Sequence, residues 1–182
     1  VSTEKRLEIE IKVRIGPLPP WREKLTALGA SVESPRELER NLVFDTPGNA
    51  LRERGVLLRL RRCGARNILT MKKPARRDAA YKIREETEAD VSDFAGMEAI
   101  LRGIGFRTFF AYEKYREVMR LGDVLVMIDE TPIGNFLEIE GEPAAIDGAA
   151  ALLGFSRGDY ITDSYYRLFL ASGYSGEMVF RK

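Results

Sequence analysis

Between Glu8 and Ile15 the chain alternates without a break: Glu8, Glu10, Lys12 and Arg14 interleave with Ile9, Ile11, Val13 and Ile15. Successive side chains of a strand point to opposite faces, so this segment predicts a strand with one charged and one branched apolar face. A helix would scatter both sets around its circumference. The charged row mixes carboxylates with cations, and whatever it faces must suit both.

The same parity recurs along the chain. Arg59 and Arg61 alternate with Leu58 and Leu60; Arg84, Glu86 and Glu88 share one face, as do Lys114 and Arg116. Glu138 and Glu140 alternate with Leu137 and Ile139, Lys72 closes Leu69-Thr70-Met71-Lys72, and Asp129 follows the apolar run Val124 to Ile128. In an open sheet such faces lie in water, where each ion pair contributes roughly 0–1 kcal/mol. In a closed barrel of about eight strands they would line a lumen wide enough for side chains or one small ligand. Buried charges are costly unless paired or bound to something. Repetition of long charged residues, in place of the usual Thr and Ser, favours the barrel. Clustered cations beside clustered carboxylates suit an extended polyanion accompanied by divalent metal ions.

Other elements follow from local signals. Pro19-Pro20 opens a helix over Trp21 to Leu28, with Gly29 as its stop. Strands are expected at Asn41 to Asp45, Val56 to Arg62, Asn67 to Lys73 and Tyr81 to Ala89. The hairpin turn Cys63-Gly64-Ala65-Arg66 joins the second and third of these. Pro74 to Ala80 reads as a basic loop in which Arg76 and Arg77 could guide an anion, though a solvated loop explains them as well. Asp90 to Gly105 reads as a helix capped by Ser92 or Asp93, with Phe94, Met97, Ile100, Leu101 and Ile104 as its apolar stripe. Strands return at Phe109 to Leu121, Val124 to Glu130 and Asn135 to Glu142. Short helices are expected at Asp147 to Leu153 and Thr162 to Ala171, where Tyr165 and Tyr166 read as packing residues. The stretch from Gly173 onward carries no assignable pattern. Antiparallel strands with a few helices between them make an α+β fold, expected as a single domain over 1–182.

Composition excludes several chemistries. Twenty-nine basic residues nearly cancel 28 acidic ones, for a net charge of +1, which argues against a nucleic-acid polymer or a membrane surface as partner. There is no histidine, so imidazole bases, Ser-His-Asp catalysis and histidine metal sites are out. A lone cysteine, Cys63, allows no intrachain disulfide and no thiolate zinc site, and reads as inert. Any metal must be held by oxygen, which favours Mg²⁺ or Mn²⁺. Without a long apolar run or a signal-like N-terminus, a cytoplasmic location is the expectation.

These motifs together resemble a known family. Glu8-x-Glu10-x-Lys12 resembles the signature of the CYTH superfamily, also called triphosphate tunnel metalloenzymes. Asn41-Leu42-Val43-Phe44-Asp45-Thr46-Pro47 resembles its aromatic-Asp-Thr-Pro segment, Leu57-Leu58-Arg59-Leu60-Arg61 its Leu-Arg-x-Arg strand, and Leu69-Thr70-Met71-Lys72 its Thr-x-Lys strand. Arg84-x-Glu86-x-Glu88, Lys114-x-Arg116, Asp129, Phe136-Leu137-Glu138-Ile139-Glu140-Gly141 and Ser164-Tyr165 follow in the family's order. The resemblance implies a closed eight-stranded antiparallel β-barrel with helices packed outside, holding a small-molecule triphosphate with Mg²⁺ or Mn²⁺.

By position, Lys12, Arg59, Arg61, Lys72, Lys114 and Arg116 would grip phosphate, with Arg14 and Arg84 in addition. Glu8, Glu10, Glu138 and Glu140 would hold metal, with Asp129 and Glu86 or Glu88 in support. Asp129 also reads as the residue that opens the Glu130-Thr131-Pro132 turn. Glu138, Glu140 and Glu10 would carry the chemistry. The implied activity is hydrolysis of an organic (nucleoside or thiamine) or inorganic triphosphate. The alternatives are a class IV adenylyl cyclase, forming cyclic AMP and pyrophosphate, and a triphosphate or polyphosphate sensor without turnover. Members of the family are often homodimers.

Overall fold

The computed structural model describes residues 6–74, 78 and 80–181; Arg76 and Arg77 lie outside them. The strands are β1 (Arg6–Ile15), β2 (Ser31–Asp45), β3 (Leu57–Cys63), β4 (Arg66–Pro74), β5 (Lys82–Asp90), β6 (Arg107–Leu121), β7 (Val124–Thr131) and β8 (Gly134–Glu140). They close into an antiparallel barrel in the order β1-β5-β4-β3-β2-β6-β7-β8, with β8 pairing back onto β1. The helices are α1 (Pro19–Ala27), α2 (Ala50–Glu53), α3 (Phe94–Gly103), α4 (Pro143–Leu152) and α5 (Tyr165–Ala171).

Both faces of β1 are buried, for opposite reasons. Ile9, Ile11 and Val13 point outward and pack with Leu25 of α1 and with Ile146, Ala149 and Ala150 of α4. Val126, Ile128, Leu137 and Ile139 of β7 and β8 join the same cluster. Each of the Val, Leu and Ile side chains stabilises the fold by about 1.5–3 kcal/mol through removal from water. A second outer cluster sets Phe44 and Leu60 against Leu101 of α3. The charged parity of every strand is left to face inward.

Several segments differ from the sequence reading. β2 begins ten residues before the expected Asn41, at Ser31. Pro35 has no N–H for the ladder, and the register shifts between Val32 and Ser34 and again between Ser34 and Glu37. This exposed, bulged half has no period-two signal to read. α4 starts at Pro143, four residues before the expected Asp147, because proline is preorganised for the first helical position. α3 starts at Phe94, after Asp93 accepts a hydrogen bond from the Ala95 N–H (3.0 Å), while Asp90 still belongs to β5.

The last helix packs at one end of the barrel rather than along its wall. Phe110, Tyr112 and Phe136 share parity with Lys114, Arg116 and Glu138 and face the lumen, and α5 packs Tyr165 and Phe169 against them. α5 therefore covers one end of the barrel. That end is open because β7 reaches β6 only from Tyr115 onward and β5 reaches β1 only up to Glu10. Two short segments fill the vacant edges. Ile161 exchanges backbone hydrogen bonds with Lys12 (3.0 and 2.7 Å). Met178, from the stretch without an assignable pattern, pairs beside Tyr112: its N–H donates to the Ala111 carbonyl (3.0 Å) and its carbonyl accepts from the Glu113 N–H (2.8 Å).

Candidate active site

A cavity of about 580 Å³ occupies the lumen. Lys12 (β1), Arg59 and Arg61 (β3), Lys72 (β4), Arg84 (β5), and Lys114 and Arg116 (β6) line it together with Glu8, Glu10, Glu138 and Glu140. Barrel closure is what brings them together, since β1 meets β8 and β5 although these lie far apart in sequence. Lys12 is opposite Glu138, and Glu10 opposite Glu140, as register partners.

Cations and carboxylates are interlocked. Lys12 Nζ lies 2.8 Å from Glu138, which also pairs with Arg116. Lys72 pairs with Glu8 and, at 3.0 Å, with Glu86. Lys82 reaches Glu10 at 2.6 Å, and Arg6 reaches Glu140 at 2.5 Å. Arg59 donates to the Thr70 hydroxyl (3.2 Å), which in turn donates to Glu88 (2.7 Å). As the side chains stand, each carboxylate is drawn to a cation, and among the described residues no three acidic groups converge as a ligand cluster.

Two expected site residues occupy other positions. Arg14 has the right parity but is exposed past the end of the cavity, donating to the Ile133 carbonyl (3.0 Å) and lying 4.6 Å over the Phe136 ring. Asp129 is fully buried behind the cavity wall. Its oxygens accept from Lys114 (2.8 Å), from Arg116 (2.7 and 2.6 Å) and from the Tyr165 hydroxyl (2.6 Å). Its acceptor capacity goes to holding two cations and a tyrosine in place.

Several neighbours of the cavity have no role in the sequence reading, or one of packing only. Lys82 continues the parity of Arg84, Glu86 and Glu88, and that pattern identifies it. Glu39 and Asn41 grip Arg61 at 3.0 and 2.9 Å, and Glu39 lies 3.8 Å from Lys114. Tyr112 shares the parity of Lys114 and Arg116, but an aromatic residue at a strand position reads as core. Tyr165 also reads as packing, yet its ring lies 4.7 Å from Lys12 Nζ and 4.9 Å from Lys114 Nζ.

Electrostatics divide the carboxylates. Burial favours the neutral form of Glu10, but Lys82, with Lys12 and Lys72, outweighs it and holds the pKa to about 2. Burial acts likewise on Glu138, yet Arg116, Lys12 and Lys114 hold it well below the ordinary range. Glu140 goes the other way. Burial, with help from Glu8 and Glu10 and against Arg6, pushes it up to about 7. Burial and the neighbouring Asp129 raise Tyr165 well above its usual value, which keeps the phenol a neutral donor. Lys12 stays charged: burial opposes it, but Glu138 and Glu10 more than compensate.

At the Glu140 end, among the described residues, the carboxylates stand near one another without converging on a common point, and a metal ion held there would find oxygen donors only. Glu8, Glu10 and Glu140 crowd negative charge on two adjoining strands, and Glu8 Oε2 is buried without a hydrogen-bond partner. Such a set of carboxylates without nitrogen or sulfur ligands suits Mg²⁺ or Mn²⁺.

Fold and site together define a closed-barrel protein with an ionic lumen. The chain belongs to the CYTH domain family, which matches residues 6–165. It is similar in structure to a candidate adenylate cyclase from Vibrio parahaemolyticus, at 17% identity and a TM-score of 0.80, with 92% of this chain and 99% of that chain covered. A conserved hypothetical protein from Pyrococcus furiosus aligns at 25% identity and a TM-score of 0.75, covering 88% of this chain and 99% of its own. A candidate adenylyl cyclase from Hippeastrum, described as having a dominant triphosphatase activity, aligns at 23% identity and a TM-score of 0.68, covering 91% and 96%. A search of curated proteins found no match. No helix among the described residues is long and apolar enough to cross a membrane.

Proposed function

We propose that this protein is a divalent-metal-dependent triphosphatase that hydrolyses a triphosphate bound in the barrel lumen. One observation carries the reading: one cavity sets Lys12, Arg59, Arg61, Lys72, Lys114 and Arg116 against Glu8, Glu10, Glu138 and Glu140. Phosphoryl transfer asks a protein for positioning and charge stabilisation more than for covalent chemistry, so the lack of histidine is no obstacle. The arginines offer planar forks to phosphate oxygens, and the lysines compact point charges.

The ion pairs suggest how the site loads. A triphosphate entering the cavity competes with Glu8 for Lys72 and with Glu138 for Lys12 and Arg116. Carboxylates released in this way, with Glu10 and Glu140, are the residues that would hold a metal ion. When bound, such an ion neutralises charge on phosphate oxygens and acidifies a water molecule. Asp129 and Tyr165 keep Lys114 and Arg116 aimed inward. The activity described for the Hippeastrum protein supports hydrolysis as the first reading.

The test is to incubate the protein with ATP, thiamine triphosphate and inorganic triphosphate, each with Mg²⁺ or Mn²⁺, and to follow phosphate, pyrophosphate and cyclic AMP. Phosphate release is the expected result. Cyclic AMP with pyrophosphate would replace the hydrolase reading with a cyclase, and binding without product would leave a sensor. Glu138→Gln is expected to lower kcat by on the order of 10²–10³ while triphosphate still binds. Lys12→Ala and Arg59→Ala are expected to weaken binding instead.

A further inference from the structure

The edge of β1 that faces β5 changes partner in the middle of the strand. β5 pairs with it up to Glu10, opposite Lys82, and an isolated bridge from Ile161 takes over at Lys12. Both points carry lumen cations: Lys82 reaches Glu10 at 2.6 Å, and Lys12 reaches Glu138 at 2.8 Å. Neither point lies inside a continuous ladder on that edge. Lys82 is the first residue of β5, and Ile161 belongs to no strand.

Outside the barrel wall, one carboxylate holds the residues that precede both points. Asp147, on α4, accepts hydrogen bonds at Oδ1 from the Tyr81 hydroxyl (2.8 Å) and the Tyr160 hydroxyl (2.9 Å). Its Oδ2 accepts from Arg157 (3.2 and 2.5 Å), and Arg157 also donates to the Tyr81 hydroxyl (3.2 Å). Tyr81 and Tyr160 directly precede Lys82 and Ile161 in the chain. Two further acids shape the flanking turns: Asp78 accepts from the Ala80 and Tyr81 N–H groups (2.8 and 3.1 Å), and Asp159 from the Ser156 N–H and hydroxyl (2.8 and 2.9 Å). The hydrogen bond from Arg157 holds the Asp147 carboxyl below its usual range, while burial and Asp147 itself raise both phenols. The two tyrosines therefore stay neutral donors to an ionised acceptor, the stronger kind of hydrogen bond. Anchoring α4 does not explain the cluster, because Ile146, Ala149 and Ala150 already pack that helix against the barrel. Nor does the ion pair, since the Arg157 side chain is 67% exposed.

We propose that Asp147 is a positioning residue for the lumen: through Tyr81 and Tyr160 it holds the backbone at Lys82 and Ile161 against β1, and so fixes where Lys82 and Lys12 meet a phosphate ligand. The consequence for a ligand rests on the triphosphate reading above; the consequence for the backbone does not. Lysine carries its charge on a flexible four-carbon stem, so the backbone at its root is what aims it. Ile161 exchanges both of its backbone hydrogen bonds with Lys12 itself, which makes the Tyr160 arm a hold on that root. The Tyr81 arm does the same for Lys82 at the frayed start of β5.

The experiment combines amide hydrogen exchange, read residue by residue, with calorimetric titration of tripolyphosphate in the presence of Mg²⁺. The proteins are the wild type, Asp147→Ala, Asp147→Asn and Tyr160→Phe. Asp147→Ala should speed exchange of the Lys12 and Ile161 amides by roughly tenfold, while the amides of Val126 and Ile139, buried in β7 and β8, keep their rates. It should also weaken tripolyphosphate binding by roughly five- to tenfold, the scale of one or two hydrogen bonds. Tyr160→Phe should reproduce the faster exchange at Lys12 and Ile161. Asp147→Asn keeps an oxygen for both phenols, so it should return both readings most of the way to wild type. Equal acceleration of all four amides would mean that Asp147 only stabilises the fold, and would overturn the proposal. Unchanged exchange at Lys12 and Ile161, wild-type affinity in Asp147→Ala, or an Asp147→Asn no better than Asp147→Ala would overturn it as well. A wild type that does not bind tripolyphosphate would sink the triphosphate reading, and the exchange rates would still decide whether Asp147 positions the backbone.

Discussion

Glu39 is a buried acid held between two of the lumen's cations. It is 3% exposed, 3.0 Å from Arg61 and 3.8 Å from Lys114, and burial alone would favour its neutral form. Arg61, Lys114 and Arg116 reverse that and bring its pKa from 4.5 to about 2. The sign of the consequence follows from linkage. A carboxyl with a depressed folded pKa contributes stability that is fully present above the unfolded value and is lost as pH falls through the folded one. Glu39 therefore contributes a few kcal/mol above pH 4.5, and this disappears between pH 4.5 and about 2. Glu39→Gln should lower stability at pH 7, because it leaves Arg61 and the buried Lys114 short of a partner. It should also flatten the slope of stability against pH in that acid window. Urea unfolding at a series of pH values measures both. A variant with the wild-type slope would mean that other carboxylates carry the acid sensitivity.

At the scale of elements, alternation reveals faces but not heights. The charged row of β1 is legible because both of its sets are extreme, and Lys12, Arg59, Lys72 and Lys114 follow as members of inward rows. Arg14 belongs to the same row, yet β1 runs past the end of β5 before reaching it, so parity alone sets it in a lumen it has already left. Glu39 is hidden by the Pro35 bulges, which break the pattern preceding it. Tyr165 is hidden because an aromatic on a helix is most often packing. The stretch after Gly173 is illegible for a different reason: it pairs through one residue, and a single bridge has no period. That bridge still matters, because Met178 is 1% exposed and supplies both backbone partners of the free β6 edge. Met178→Ala should destabilise the protein by about 2–5 kcal/mol, measured by urea unfolding. Removal of residues 174–182 should do more, leaving Glu113 N–H and the Ala111 carbonyl unpaired beside an uncovered Tyr112. Loss of less than about 1 kcal/mol in the truncated chain would show that the edge closes by itself.

Across the whole molecule the barrel is built in two shells of opposite chemistry. The outer shell is apolar and is covered by α1, α3 and α4. The inner shell holds nearly as many carboxylates as cations, linked in pairs from Arg6–Glu140 through Lys12–Glu138 to Arg61–Glu39. That balance lets the empty barrel tolerate buried charge, and it sets the terms on which a ligand enters. A triphosphate alone adds several negative charges to a lumen whose cations are already neutralised, and it strands the carboxylates it displaces. A divalent cation alone finds its carboxylate ligands engaged with Lys82, Lys72 and Arg116. Together the two are complementary, so on the proposed function their binding should be positively coupled. A ligand at a hundred times its Kd stabilises a fold by about 2.7 kcal/mol, and at this chain length each kcal/mol moves Tm by about 2–4 °C. Tripolyphosphate with Mg²⁺ should therefore raise Tm by roughly 5–10 °C, and by more than the shifts with tripolyphosphate alone and Mg²⁺ alone added together. Added salt should reduce the shift only modestly, because pairs inside the lumen are screened less than surface pairs. Shifts that merely add would break the charge-balance argument and mean that the cations can receive the polyanion without help from a metal.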